Sequence, residues 1–499
     1  MNSEAILSRF DRNSTANVLV PAFVALFFFL MIVLFHPFRE KLQYDVDEGF
    51  NLMRSMLVTM DYSLYDEVSS DQPPLFTYLL AGLQRLTGYR VNPGRIMVLL
   101  FATLLVWSCT QFTQLTWGSL HAVLVGLTLL LLPYFLQLSV SIMIGLPAIS
   151  LAALSMLLLA IWHLKGDDYW LVLSGAVLGL SVLTKLFTGI LAPVFLVGVT
   201  AAQFTRLDSR KISLLILKPG LIWGASFGTI IFMMGAIMVG PANLADIVRP
   251  HLEFAARQLE AGENTIDFHL QTALPFLFLA LSGVLLTIHS RRWLNLYPFA
   301  WALAAYTAFR SYSPVWYHHQ LLVTVPAAIL AGAAVGESLL WIVRLPRGDK
   351  FSGFKTVLAV VTLLVFGFGV GKSFRATLEQ LSGSPRFSGV ETQAPLQKLR
   401  LYRKMLEYAP DTRWVVTDMP IYAYLIERPV PPALATFSGM RLLDGSLSED
   451  QILEAVEQYK PEQVLMVFFE LPRLEMYLRE HYELVYDKGD YSLFLRNDP

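Results

Sequence analysis

Apolar runs of near membrane-spanning length recur along this chain, and that recurrence constrains its fold more than any other feature. About 20 consecutive apolar residues cross a bilayer as a helix. Such windows lie near 18–37, 96–114, 119–137, 142–163, 170–185, 188–204, 219–240, 271–288, 293–310, 319–342 and 356–372. The expectation is a mainly α, polytopic membrane protein with about 11 transmembrane helices. Composition agrees, since only 15% of the 499 residues are charged, against roughly 25% in a soluble domain. A formal net charge of -1 offers no basic surplus, so no nucleic acid partner is expected. The single cysteine, Cys109, excludes an internal disulfide. The first run, Asn17 to Phe35, lacks a small-residue cleavage site and reads as a span rather than a cleavable signal peptide.

Lys and Arg concentrate in cytoplasmic loops. Here Arg9 and Arg12 precede the first window. Lys165, the run from Arg206 to Lys218, Arg291 with Arg292, and the run from Arg344 to Lys355 follow the fourth, sixth, eighth and tenth. With an odd number of spans these segments share one face. The N-terminus is then expected in the cytoplasm. The loop 38–95, the loop 241–270, the segment "FRSYSPVWYHHQ" and the tail are expected outside it.

The chain divides on this reading into a transmembrane unit, 1–372, and an extracytoplasmic α/β domain, 373–499, joined by a linker at about 373–400. In the tail the apolar runs shorten. "RWVVTDM" and "EQVLMVFF" read as buried strands, and "ELVYDKGDYSLFLR" as a hairpin. "SEDQILEAVEQY" and "LPRLEMYLREHY" have helical periodicity, and Ser448 with Gln451 forms a capping box for the first of them.

The unusual polar residues gather in the first loop. "YDVDEGFN" puts Asp45, Asp47 and Glu48 within four residues, just after the first span. Phe50, Met53, Leu57 and Met60 then mark one apolar helix face, expected to lie in the membrane interface. "DQPPLFTYLLAGLQRLTG" starts a second short helix at its Pro pair and ends it at Gly88, with Leu75, Tyr78, Leu79 and Leu86 available to lipid. Capping alone would account for one acid, because a carboxylate favours a helix N-terminus.

The order of these features resembles the GT-C superfamily of membrane glycosyltransferases, and most nearly the protein O-mannosyltransferase and aminoarabinose transferase group. Members carry an Asp-Glu pair at this place in the first outer loop and a "PPL" segment some 25 residues later. Many also carry a Gly-Leu-x-x-Leu-x-Lys run in a middle span, matched here by "LGLSVLTKLFTGILAP" with Lys185. Two positions depart from the pattern. Gln72 stands where related enzymes often have a basic residue before "PPL", and Gly145 stands where many have an acid before the fourth span.

The resemblance implies a sugar donor carried on a polyprenyl phosphate, and a glycan, lipid or protein acceptor. Joining an acceptor hydroxyl to the anomeric carbon needs a base, stabilisation of the departing phosphate and an apolar groove for the lipid. Asp47 is the candidate base. Glu48 is expected to orient the acceptor or to share a divalent cation, Mg²⁺ or Mn²⁺, with Asp47. Asp45, Gln72, Pro73 and Pro74 complete the substrate loop. Lys185 is the candidate phosphate partner, although a snorkelling lysine is the ordinary reading of such a position. His318 and His319 in "SPVWYHHQLLVTVP" are candidate sugar or phosphate contacts that periodicity does not distinguish, beside an aromatic belt at Trp316 and Tyr317. Arg249, His251, Arg257 and His269 belong to an amphipathic segment that suits either a lid or an interfacial helix. The alternative is a multi-pass transporter or a flippase for lipid-linked sugars. Internal repeats and midplane ionisable groups would favour it, and neither stands out here.

Overall fold

The structure is a computed structural model, and it describes residues 14–206, 217–251, 265–312, 314–344, 353–381, 400–488 and 490–497. Each of the apolar windows falls on a helix. Eight helical stretches are long and apolar enough to cross a membrane, and Ser119–Leu130 and Asp168–Thr184 are shorter apolar helices. The span count therefore rests on length: the window at 119–137 is broken after Leu130 and resumes only as the single turn Phe135–Leu138. Burial grades the helices by position. Gly145–Lys165 and Tyr317–Arg344 are 83% and 72% buried over their most apolar windows, whereas Val18–Phe35 is 22% buried. The first pair forms the centre of the bundle, and the exposed apolar faces of the outer helices suit lipid contact.

The first loop departs from expectation. Helix Val46–Thr59 does not lie with an apolar face in the interface. Residues Glu48 through Val58 are all buried, with Leu52, Met53, Met56 and Leu57 at zero exposure. Burying such side chains contributes about 1.5–3 kcal/mol each, so the helix is an internal element. The second loop helix, Leu75–Thr87, is amphipathic as expected at Leu79 and Leu86, which are exposed, but Leu75 is buried.

The helix Leu75–Thr87 and the C-terminal unit together cover the helix Val46–Thr59. The sheet of that unit has the order β1-β2-β4-β3, with β1 (Val415–Thr417), β2 (Gln463–Met466), β3 (Tyr482–Lys488) and β4 (Tyr491–Arg496). β1 pairs parallel with β2, and β4 pairs antiparallel with both β2 and β3. Helices Glu449–Tyr459 and Pro472–His481 pack on it through Ile452, Val456, Leu474 and Leu478. The Ser448–Gln451 capping box forms.

Three contacts dock this unit on the first loop. Helix Ile421–Leu425 crosses so near Gly49 that a Cβ there would lie 2.7 Å from the Ile421 backbone nitrogen. The buried Gln84 amide donates to the Ser55 hydroxyl (2.7 Å) and the Tyr424 hydroxyl (3.1 Å). Ser69 donates its N–H to the Pro432 carbonyl and accepts from the Thr436 N–H.

Candidate active site

Between the bundle and the C-terminal unit lies a cavity of about 790 Å³. Its floor comes from the first loop, Lys185 and the segment around Tyr317. Its roof comes from residues 436–446 and 468–469.

The three acids of "YDVDEGFN" take three different roles. Asp45 is the N-cap of helix Val46–Thr59: its carboxylate accepts the Asp47 N–H at 3.0 Å and the Tyr317 hydroxyl at 2.8 Å. Burial raises its pKa, opposed by these two bonds. Capping is thereby satisfied, and Asp47, one turn position on, faces the cavity with no hydrogen-bond or ion-pair partner for its carboxylate among the described residues. Burial and then the neighbouring Asp45 charge push its pKa up to about 7, against the pull of Lys185.

Glu48 points the other way. It is fully buried and receives Arg95 at 2.9 and 3.3 Å, the Tyr44 N–H at 2.7 Å and the Ile142 N–H at 2.9 Å. Arg95 spends its remaining donors on the carbonyls of Phe38, Lys41 and Leu42. This knot ties the start of the first loop to helix Val91–Thr116 and to the turn before Gly145. Glu48 does not line the cavity, so sharing a cation with Asp47 does not fit this geometry. Among the described residues no cluster of three or more metal-ligating side chains is assembled.

Lys185 breaks the helix that ends at Thr184 and precedes a short 3-10 turn. It is 8% exposed and borders the cavity, with Nζ 5.6 Å from the Phe187 ring centre. Burial lowers its pKa to about 8, opposed by Asp47, Asp71 and Asp45. A Cβ on Gly145 would lie 3.9 Å from this Nζ, so the position that departs from the family pattern adjoins the lysine.

Asp71 and Arg54, not singled out from the sequence, form the other charged pair of the floor. Arg54 donates to Asp71 at 3.0 Å, to Ser70 at 3.2 Å and to Asn51 at 2.6 Å. Burial pushes the Asp71 pKa up, but Arg54 and then Gln72 outweigh it, and the net direction is down. Gln72 lines the cavity, and its buried Oε1 has no hydrogen-bond partner among the described residues. Pro73 and Pro74 are buried and start the helix Leu75–Thr87 without facing the cavity. An Arg inside the apolar string "NLMRSMLV" was the available signal for Arg54, since a buried cation needs a partner.

The two histidines now separate. His319 is fixed: its Nδ1 accepts the Trp316 N–H at 3.1 Å, and its ring stacks on Phe309. His318 is half-buried on the cavity wall, and its Nδ1 has no hydrogen-bond partner among the described residues. Arg249 stands at the rim, 62% exposed and paired with Asp246 at 3.0 Å. His251 lines the same side, with its pKa lowered by burial. His269 bonds the Val315 carbonyl instead, and Arg257 lies outside the described residues.

Comparison with known proteins adds to this picture. The sequence model of the dolichyl-phosphate-mannose-protein mannosyltransferase family matches residues 71–225. Curated protein sequences give no match. The fold is similar to that of ArnT from Cupriavidus metallidurans bound to undecaprenyl phosphate, with TM-score 0.62 and 14% identity over 96% of this chain and 97% of that one. It is also similar to the Archaeoglobus fulgidus oligosaccharyltransferase in its apo form, with TM-score 0.56 and 12% identity over 91% of this chain and 70% of that one. The complex of Archaeoglobus fulgidus AglB with an inhibitory peptide and a dolichol-phosphate gives 0.55 and 12%, over 95% and 74%. These likenesses show the GT-C fold that the sequence resemblance implied.

Proposed function

We propose that this GT-C membrane protein is a glycosyltransferase. It moves a sugar from a polyprenyl-phosphate donor to an acceptor hydroxyl at the extracytoplasmic face. One observation carries the reading: Asp47 and Lys185, far apart in sequence, border one cavity, and among the described residues neither charged group has a hydrogen bond or an ion pair. The likeness to proteins solved with undecaprenyl phosphate and dolichol-phosphate supports the donor class.

In this reading Asp47 accepts the proton of the acceptor hydroxyl as its oxygen bonds to the anomeric carbon. The bond from that carbon to the phosphate oxygen breaks, and polyprenyl phosphate departs with the electron pair. A base with a pKa near the working pH is well matched to this proton transfer. Lys185 meets the charge that gathers on the leaving phosphate. His318 and Arg249 are further donors beside the same path. Glu48 acts through Arg95 as a positioning residue, and no step is routed through a divalent cation. The N-terminus then lies in the cytoplasm, and the first loop and C-terminal unit lie outside it, where lipid-borne donor and acceptor meet.

Mass spectrometry of envelope glycans and polyprenyl-phosphate sugars in a wild-type strain, a deletion strain and a strain complemented with Asp47→Asn tests the proposal. Loss of one sugar from a glycan, accumulation of its lipid donor, and rescue by the wild-type gene alone are expected. Unchanged glycans in the deletion strain would overturn it.

A further inference from the structure

Asp45 and Asp47 stand together on the cavity floor in different surroundings, and a residue far along the chain makes the difference. Both oxygens of Asp45 are occupied. Oδ1 accepts the Asp47 N–H at 3.0 Å, and Oδ2 accepts the Tyr317 hydroxyl at 2.8 Å. The Asp47 carboxylate has no hydrogen bond or ion pair among the described residues. Tyr317, 272 residues from Asp45, is held from several sides. It opens the 3-10 turn Tyr317–Gln320, and its carbonyl accepts the Gln320 side-chain amide at 2.9 Å. Its ring packs edge-on against Tyr134, with centroids 5.1 Å apart. Tyr134 adopts a left-handed backbone conformation, φ 62°, which is uncommon for a residue other than glycine. The hydroxyl that reaches Asp45 is therefore placed by the fold and not by a free side chain.

Two neighbouring buried carboxylates do not ionise independently: one keeps its charge, and the other holds a proton to higher pH. Hydrogen bonds to the charged form select the one that stays charged. Two donors converge on Asp45 and none on Asp47, so Asp45 carries the charge. That charge, next after burial, raises the pKa of Asp47. The other titratable or charged groups around the pair are Lys185, Arg54, Asp71 and Glu48, with His251 and His318 on the cavity wall. Glu48 is matched by Arg95, and Asp71 by Arg54. Lys185 favours the charged form of both acids and so does not choose between them. The Tyr317 hydroxyl does choose, because it bonds Asp45 and not Asp47.

We propose that Tyr317 is a positioning residue for the base: acting through Asp45, it fixes which of the two carboxylates takes the acceptor proton. The role of that proton rests on the glycosyltransferase reading, but the ordering of the two acids does not. Infrared difference spectra of the full chain in nanodiscs, recorded across a pH titration, test the ordering without any substrate. They follow the C=O band of protonated carboxyl groups, and the component missing from Asp47→Asn belongs to Asp47. In wild type that component grows as the pH falls through about 7. Asp45→Asn keeps a good N-cap and removes the charge, so the midpoint should fall by about one pH unit. Tyr317→Phe keeps the ring against Tyr134 and removes one donor from Asp45, so the midpoint should move the same way. The double variant should match Asp45→Asn alone, because Tyr317 then has no charge to hold. A merely structural role for Tyr317 would change the melting temperature and leave the midpoint in place. If Tyr317→Phe fails to fold, Asp45→Asn decides by itself. An unchanged midpoint in either folded single variant, or a Tyr317→Phe shift that adds in full to that of Asp45→Asn, overturns the proposal. Unchanged glycans in the deletion strain would sink the glycosyltransferase reading and leave the ordering standing. Altered glycans with an unmoved midpoint would sink the ordering and keep that reading.

Discussion

Replacing Glu48 with Gln changes one oxygen for one nitrogen, yet the structure predicts a large loss of stability. The carboxylate, itself at zero exposure, accepts from Arg95 twice and from two backbone N–H groups. An amide oxygen can accept from two of these donors at most, and its NH₂ group then confronts the rest. Arg95, 1% exposed, keeps three carbonyl partners but loses its counter-charge. Breaking a buried pair on one side costs about 3–5 kcal/mol. Removing both charges in a Glu48→Gln/Arg95→Met double variant leaves no buried ion, so it should recover part of that loss. The assay is thermal unfolding of the purified protein in one detergent, followed by cysteine-reactive dye at Cys109, which is buried in the fold. The single variant should melt well below wild type and the double variant between them. A single variant that melts with wild type would falsify the claim that Glu48 is an anchor and would return it to the list of groups acting on substrate.

Four further outcomes follow from the geometry. The profile of kcat/KM against pH should be bell-shaped. It should rise as Asp47 deprotonates near 7 and fall as Lys185 deprotonates near 8, and Lys185→Arg should push the falling limb to higher pH. Lys185→Ala should raise the KM for the lipid donor more than that for the acceptor, as measured in bisubstrate kinetics; equal changes would count against a phosphate contact. Gly145→Asp should place a carboxylate beside Lys185 Nζ and weaken undecaprenyl phosphate binding in a lipid-competition assay. Gly49→Ala must push the Ile421 backbone away from the first loop and should cost about 1–3 kcal/mol, seen as faster proteolytic release of the C-terminal unit.

The apolar periodicity made the bundle legible, because membrane-spanning length is a property of contiguous residues. The strands and helices of the tail were legible for the same reason, down to the Ser448 cap. The first loop misled at one point. "GFNLMRSMLVTM" has the amphipathic pattern of an interfacial helix, but an apolar face does not say whether lipid or protein covers it, and here the helix Leu75–Thr87 and the residues around Ile421 do. The crowding of acids in "YDVDEGFN" was visible, but not its partition into a cap, a cavity-facing group and an anchor. That partition depends on Arg95 and Tyr317, which lie far along the chain and reach the loop only through the fold. The roof was not legible at all, since Asp418 reads locally as the end of a strand and its bond from the Phe468 N–H exists only once β1 and β2 pair.

The central claim is that Asp47 removes the acceptor proton, and purified Asp47→Asn protein tests it most directly. Transfer from a radiolabelled polyprenyl-phosphate sugar should fall by about 10²–10⁴-fold, the usual share of a general base, while undecaprenyl phosphate binding and melting temperature stay at wild-type values. Transfer within a few-fold of wild type would show that another group takes the proton, and the account of this site would have to be rebuilt around it.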